Sequence, residues 1–300
     1  MQPFLKSIAD HLVEVSHGDF EKYSVVLPSR RAGTFLKKFL SEHFEKTKIA
    51  PEIITIPELM ESLSGYKVPD NMVLLLYLYE EYAELENEKA ESFEDFLNWG
   101  SILLNDFNEV DSHLLDTKKL YSDLRKIKDI ENWSLNADEL TEHQKTFNRN
   151  WQKTGEIYDR FKNRCFREGF LSTGLIQRYI SENIEQTLED LPKEYYLFAG
   201  LSAMTKAEEK FVKTITDSQK GKLFVDGDSY YTQDKLHEAG LFIRNIQQKF
   251  GNVEWVSENW KKMEKKINVY GIPQEIGQAK VAGKVLENLK YPENHKSTAL

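Results

Sequence analysis

The chain has little cysteine: Cys165 is the single one among 300 residues. One thiol cannot form an internal disulfide, and no spacing of cysteine and histidine suits a zinc or iron–sulfur site. The seven histidines are scattered, with no pair four residues apart and no nucleophile elbow to partner. We therefore expect neither a thiolate metal site nor a histidine-dependent hydrolase.

Long hydrophobic runs are also missing. The apolar stretch Met72 to Tyr79 is far shorter than the roughly 20 residues that a membrane-spanning helix needs. The first fifteen residues place apolar side chains at helical spacing and lack both an uninterrupted apolar run and a small-residue cleavage site. We expect a cytoplasmic protein with no membrane partner.

Positive charge is in deficit. The net charge is -9 and the pI is about 5.5, which excludes a surface that binds phosphate everywhere. Any contact with nucleic acid must be local. Three basic clusters could supply it: Ser29–Arg31, Lys37–Lys38, and Lys261–Lys262 together with Lys265–Lys266.

The glycine-rich phosphate loop of nucleotide triphosphatases is absent. Gly221-Lys222-Leu223 and Gly283-Lys284-Val285 lack both the earlier glycine and the following hydroxyl. Pro69-Asp70 is not followed by a strand with Glu-x-Lys, as a PD-(D/E)XK nuclease would require. We expect no ATP hydrolysis, no catalytic residue and no cofactor within these residues.

What the sequence does contain is a repeated alternation of strand and helix. Strands are predicted at 23–27, 52–56, 195–198, 222–225 and 267–270, with helices at 1–15, 32–44, from 57, 205–215, 235–250 and 275–289. Thr55 and Thr205 each precede a helix and are expected to cap it. Successive β-α units predict a parallel sheet, and so an α/β fold.

Between residues 70 and 190 the pattern is helical throughout, which predicts a large all-α insertion. Its expected helices are 72–86, 92–108, 114–127, 141–168 and 175–188. Two aromatic stripes favour a bundle core over a cofactor site: Trp99, Leu103 and Phe107, and Phe147, Trp151, Ile157 and Phe161.

Ser29, Arg30 and Arg31 are the candidate DNA-binding residues. They follow the first predicted strand and precede a helix, where open α/β sheets bind ligands because free amides and the helix dipole favour anions. Arginine holds phosphate through paired hydrogen bonds. The alternative is that both arginines pair with carboxylates of the insertion.

Asp226 and Asp228 follow another apolar strand and resemble a degenerate acidic strand end that would hold a magnesium-bound water. Without a phosphate loop they have little to act on. The alternative is that they shape a turn.

Several segments, taken in order, resemble the AddB-like, RecC- and RexB-related PD-(D/E)XK nuclease family of Bacteroidetes type. The matching segments are Val26–Gly33 with Phe35–Lys38, Trp99–Asp111, Phe198–Glu209, and Asp226–Tyr231 with Glu238–Gly240. Together they place the resemblance from the N-terminus to about Leu289, nearly the whole chain.

The resemblance implies a superfamily I helicase-like module. Residues 1–69 and 191–262 would form a RecA-like core (1A-like), 70–190 the helical insertion (1B-like), and 263–300 the truncated start of a second RecA-like domain (2A-like). The nuclease of such proteins, an exonuclease needing Mg2+, would lie beyond residue 300. Because Thr298–Leu300 resembles the start of a strand, we expect a longer protein.

The function implied is that of an inactivated helicase, a DNA-binding scaffold in double-strand-break end processing and recombinational repair. Its expected partners are DNA, as a single strand or duplex end, and an AddA-like helicase-nuclease subunit. Two hypotheses compete: a protein-interaction scaffold without DNA contact, and an ATPase with an unusual phosphate site.

Overall fold

The computed structural model describes residues 3–122, 142–251, 254–257, 260 and 267–287, with the backbone alone in 142–152 and 254–257. The chain forms two compact units, Met1–Lys261 and Lys262–Leu300. Within the described residues, no helix combines the length and apolar character needed to cross a bilayer.

A five-stranded sheet, parallel throughout, forms the centre of the first unit. Its strands are β1 (Tyr23–Leu27), β2 (Glu52–Thr55), β3 (Tyr195–Ala199), β4 (Gly221–Asp228) and β5 (Glu254–Ser257), in the order β2-β1-β3-β4-β5. The predicted fold class is confirmed: an α/β parallel sheet, consistent with a RecA-like core, carries a large all-α insertion.

The helices of the described residues are α1 (Phe4–Ser16), α2 (Arg30–Ser41), α3 (Ile56–Ser64), α4 (Asn71–Glu86), α5 (Phe93–Ser112), α6 (Glu142–Glu168), α7 (Thr173–Glu182), α8 (Ile184–Glu189), α9 (Lys206–Asp217), α10 (Ser229–Thr232), α11 (Leu241–Phe250) and α12 (Glu275–Glu287). Short 3-10 turns lie at Asn87–Lys89 and Glu238–Gly240.

The sheet is buried on both faces, which explains why its inner strands are apolar without alternation. Val25 and Leu27 belong to one core cluster with α1 and α2, whereas Val26 belongs to a second cluster with α3, α7, α9 and α11. The chain passes from β1 to β2 in one direction and to β3, β4 and β5 in the other. The order therefore reverses at the β1–β3 boundary, the switch point of a doubly wound sheet.

Backbone hydrogen bonds join the two segments that flank the long helices of the insertion. Lys67 donates its N–H to the Gly169 carbonyl at 3.3 Å and accepts from the Leu171 N–H at 3.0 Å, so the segments that flank the long helices lie side by side. Ser92 and Ser172 cap α5 and α7 with their hydroxyls. The division at residues 70 and 190 stays a prediction.

Two polar contacts join α5 to α7 inside the insertion. The Asn108 side-chain oxygen accepts from the Gly174 N–H at 2.7 Å, and the Arg178 Nε donates to Asp111 at 2.6 Å. Tyr158 also donates to Asp111, since burial and the Asp111 charge raise the pKa of its phenol and keep it protonated. The Trp99–Asp111 segment, which contributes to the resemblance, thus holds helices together.

The expected aromatic stripes lie in this bundle. Leu103, Phe107, Ile157 and Phe161 are buried, and the Trp99 ring packs edge-on against Phe96. The remaining members, Phe147 and Trp151, are in a stretch whose side chains lie outside the described residues.

Two strand assignments and two helix bounds differ from the structure. The strand expected at 267–270 has no ladder partner among the described residues, and its side chains are exposed. β5 was missed because it is a short edge strand with polar ends, although Gly251 at φ +79° marks the turn before it.

The helix expected over 235–250 begins only at Leu241. The helix expected over 175–188 breaks at Asn183, and the one expected at 114–127 extends outside the described residues.

Candidate functional site

The junction of β1 and α2 is only two residues long. β1 ends at Leu27 and α2 begins at Arg30, so Pro28 and Ser29 make the whole connection. Proline has no N–H to offer, and the Ser29 hydroxyl accepts from the Ala32 N–H at 3.3 Å to cap the helix. A phosphate loop wraps its ligand in several consecutive backbone amides, and this junction has no room for one.

Arg30 extends from the first turn of α2 toward α3. Its guanidinium donates to the Glu58 carboxylate, with the arginine side chain 86% exposed and that of glutamate 29% exposed. Glu58 belongs to the core rather than to the insertion. Arg30 therefore pairs with a carboxylate, but with one of the sheet core, whereas the alternative hypothesis expected carboxylates of the helical insertion.

Arg31 lies beside Arg30 and is exposed. Its guanidinium carbon is 6.0 Å from the centre of the Phe35 ring, one helical turn further on. Among the described residues it has no carboxylate partner. Of the two arginines, Arg31 is the one whose charge is not already neutralised by a neighbour.

A cavity opens at the switch point of the sheet, between the loops that follow β1 and β3. It measures about 220 Å³ and is lined chiefly by Leu27, Pro28, Ile56, Pro57, Gly200, Leu201, Ser202, Ala203, Met204 and Glu208. Gly200 turns the chain here at φ +75°. Sequence reasoning identified the Gly200–Ser202 loop but did not assign it to a site, because the neighbourhood of β1 and β3 depends on strand order.

The protein's own carboxylates occupy two helix N-termini at this edge. Glu58 accepts from the Thr55 N–H at 2.9 Å and its hydroxyl at 2.7 Å, and Glu208 accepts from the Thr205 N–H at 2.9 Å. Hydrogen bonds from Thr55, together with Arg30, hold the pKa of the Glu58 carboxyl below its usual value. A foreign anion would be repelled at these two positions, which leaves the α2 end as the basic part of the edge.

The second candidate pair ends β4. Asp228 accepts from the Tyr230 N–H at 2.9 Å, which caps the following helical turn, and from the Trp260 N–H, distant in sequence, at 2.8 Å. Asp226 is exposed, but neighbouring atoms displace part of the water around its carboxyl group. This desolvation raises the pKa of that carboxyl. In the described part of the chain, no group of three or more histidine, cysteine or acidic side chains is arranged to hold a metal ion.

The chain was compared with protein-family models and with curated proteins, and nothing matched in either comparison.

Proposed function

We propose that this chain is a non-catalytic, helicase-like DNA-binding region of an AddB-type helicase-nuclease subunit, acting in double-strand-break end processing in the cytoplasm. The observation that carries the proposal is the β1–α2 junction. It is too short for a phosphate loop, yet it presents two exposed arginines at the edge where an α/β sheet binds its ligands.

The arginines offer DNA phosphates a local site in an acidic protein. Arg31 has its guanidinium free of carboxylates among the described residues. Arg30 can exchange Glu58 for a phosphate, because an exposed ion pair contributes only about 0–1 kcal/mol. Hydrogen bonds from both guanidiniums would fix a backbone without reading its sequence.

The remaining parts of the proposal come from the resemblance. The region would serve as a scaffold along which DNA passes while an AddA-like helicase-nuclease subunit supplies the motor. The Mg2+-dependent exonuclease would belong to another part of the same polypeptide. Asp226 and Asp228 have no catalytic role in this account.

The test is fluorescence anisotropy of labelled single-stranded and duplex-end DNA over a salt series, with and without ATP. We expect affinity that falls steeply with salt, ignores ATP, and drops in Arg30→Ala/Arg31→Ala with a slope reduced by about 1–2. The control, Lys118→Ala/Lys119→Ala, removes the same charge from exposed positions of the insertion and should leave binding unchanged. Absence of binding at low salt would contradict the proposal.

A second candidate, a protein-interaction scaffold, has one observation in its favour. Apolar side chains are exposed in the segment that precedes α11 and in the first turn of α11, with Leu236 93% and Phe242 57% accessible. Such a surface suits a protein partner. In this case the partner helicase would bind with little dependence on salt, and Leu236→Ser/Phe242→Ser would weaken that binding while Arg30→Ala/Arg31→Ala would not.

A further inference from the structure

A groove lined by aromatic and basic side chains lies at the other end of α2. Residues 42–51 connect α2 to β2, and together with the end of α2 they enclose a groove of about 340 Å³. Phe20, Leu40 and Phe44 provide its apolar floor. Lys37, Lys46 and Lys48 lie around it, with Glu45 as the acidic member of the lining. We refer to it as the α2 groove.

The Phe44 ring is held in place as a platform. It packs edge-on against buried Phe20, with ring centres 5.8 Å apart. A Cβ atom added at Gly18 would lie 3.3 Å from the ring and 4.0 Å from the Lys48 ammonium, so the Gly18 backbone lies close to both. The Lys48 ammonium lies 5.7 Å from the centre of the Phe44 ring. A fixed aromatic ring with a cation above it is suited to a flat, anionic ligand.

The charge of the α2 groove is opposite to that of the protein. Its three lysines outnumber Glu45, and none of them has a carboxylate partner among the described residues. This excess also exceeds the partial negative charge of about half a unit at the C-terminus of α2. In a chain with a net charge of -9, a local positive surface of this kind favours an anion.

The α2 groove is connected to the arginines by the exposed face of α2. The helix has four cations and no acidic residue. Arg30 and Lys37 are seven residues apart, and so are Arg31 and Lys38, which places each pair on one face about 10 Å apart along the axis. All four are exposed. A continuous basic stripe therefore leads from the sheet edge to the α2 groove.

We propose that the α2 groove binds a nucleotide of single-stranded DNA, with its base against Phe44 and its phosphates on Lys46 and Lys48. The volume lies at the lower end of the roughly 300–1,000 Å³ typical of small-ligand sites. Lys48 moves from the face of Phe44 to a phosphate as the base takes its place. The inference rests on the proposed function for its ligand, DNA, and on different residues for its contacts.

The experiment compares two labelled 12-mers by fluorescence anisotropy: oligo-dT, and an abasic strand with the same phosphates but no bases. Wild type should bind oligo-dT roughly tenfold more tightly than the abasic strand, an advantage typical of stacking on an aromatic ring. Phe44→Leu keeps an apolar side chain and should abolish that advantage. Lys46→Ala/Lys48→Ala, at exposed positions, should weaken the binding of both strands and reduce the salt slope by about 1.

The controls separate this inference from the proposed function. Lys118→Ala/Lys119→Ala should bind as wild type, and unfolding midpoints verify that each variant is folded. If both groove variants bind oligo-dT as wild type while Arg30→Ala/Arg31→Ala loses affinity, the α2 groove is not a DNA site and the proposed function stands. If wild type binds neither strand, both proposals fail.

Discussion

Arg178 in the helical insertion and Arg30 at the sheet edge are held in opposite ways. Arg178 in the insertion is buried, and its guanidinium donates to Asp111 at 2.6 Å and to the Val110 and Leu115 carbonyls at 3.0 and 2.7 Å. Arg30 at the sheet edge has one partner and is almost entirely exposed. A buried charge with every contact internal is structural, whereas an exposed charge with an exchangeable partner is available to a ligand.

The comparison is tested most severely by removing each arginine in turn. Arg178→Ala leaves Asp111 buried and without its cation, which should lower the free energy of unfolding by about 3–5 kcal/mol. Arg30→Ala breaks an exposed pair and should change it by no more than about 1 kcal/mol. Urea denaturation followed by circular dichroism measures both. Equal losses of stability in the two variants would show that the buried contacts of Arg178 contribute no more to folding than the exposed ion pair of Arg30.

Close packing between α5 and α7 provides the next test. A Cβ atom at position 174 would lie 2.2 Å from the Asn108 carbonyl oxygen, so α7 cannot keep its place in Gly174→Ala. We expect a loss of about 1–3 kcal/mol from overpacking. Gly283→Ala in α12 is the control, because nothing lies within 4 Å of its added Cβ and alanine favours a helix. Unchanged stability of Gly174→Ala would mean that the helices separate without cost.

Local sequence signals predicted the elements well where their cause is local. The strand 23–27 and the caps at Thr55 and Thr205 depend on neighbouring residues, and the structure has the strand and a capping box at each threonine. What depends on distant residues was not predictable. Arg30 meets Glu58 and β1 meets β3 only through the strand order, which no motif in the sequence encodes.

The same limit explains the misplaced strand. Residues 267–270 have strand-forming side chains, but a strand exists only with a partner, and none is present among the described residues of that unit. Lys37–Lys38 was likewise recognised only as a basic cluster, because nothing in the sequence indicates that Phe44 and Phe20 meet beside it. Long-range contacts decided both cases.

The smallest expected effect concerns the acid dependence of the sheet edge. Since the pKa of the Glu58 carboxyl is lowered by folding, its contribution to stability is present above the unfolded value of about 4.3 and is lost as the pH falls through the folded value. Glu58→Gln keeps a side chain able to complete the capping box and removes the charge. It should be less stable than wild type by under about 1 kcal/mol at pH 6, and the difference should be smaller at pH 3. Urea denaturation at both pH values measures the difference, with Glu14→Gln, at an exposed position of α1, keeping the acid dependence of wild type. A difference of the same size at both pH values would mean that Glu58 acts through its shape alone, and that Arg30 is held at the sheet edge by something other than its charge.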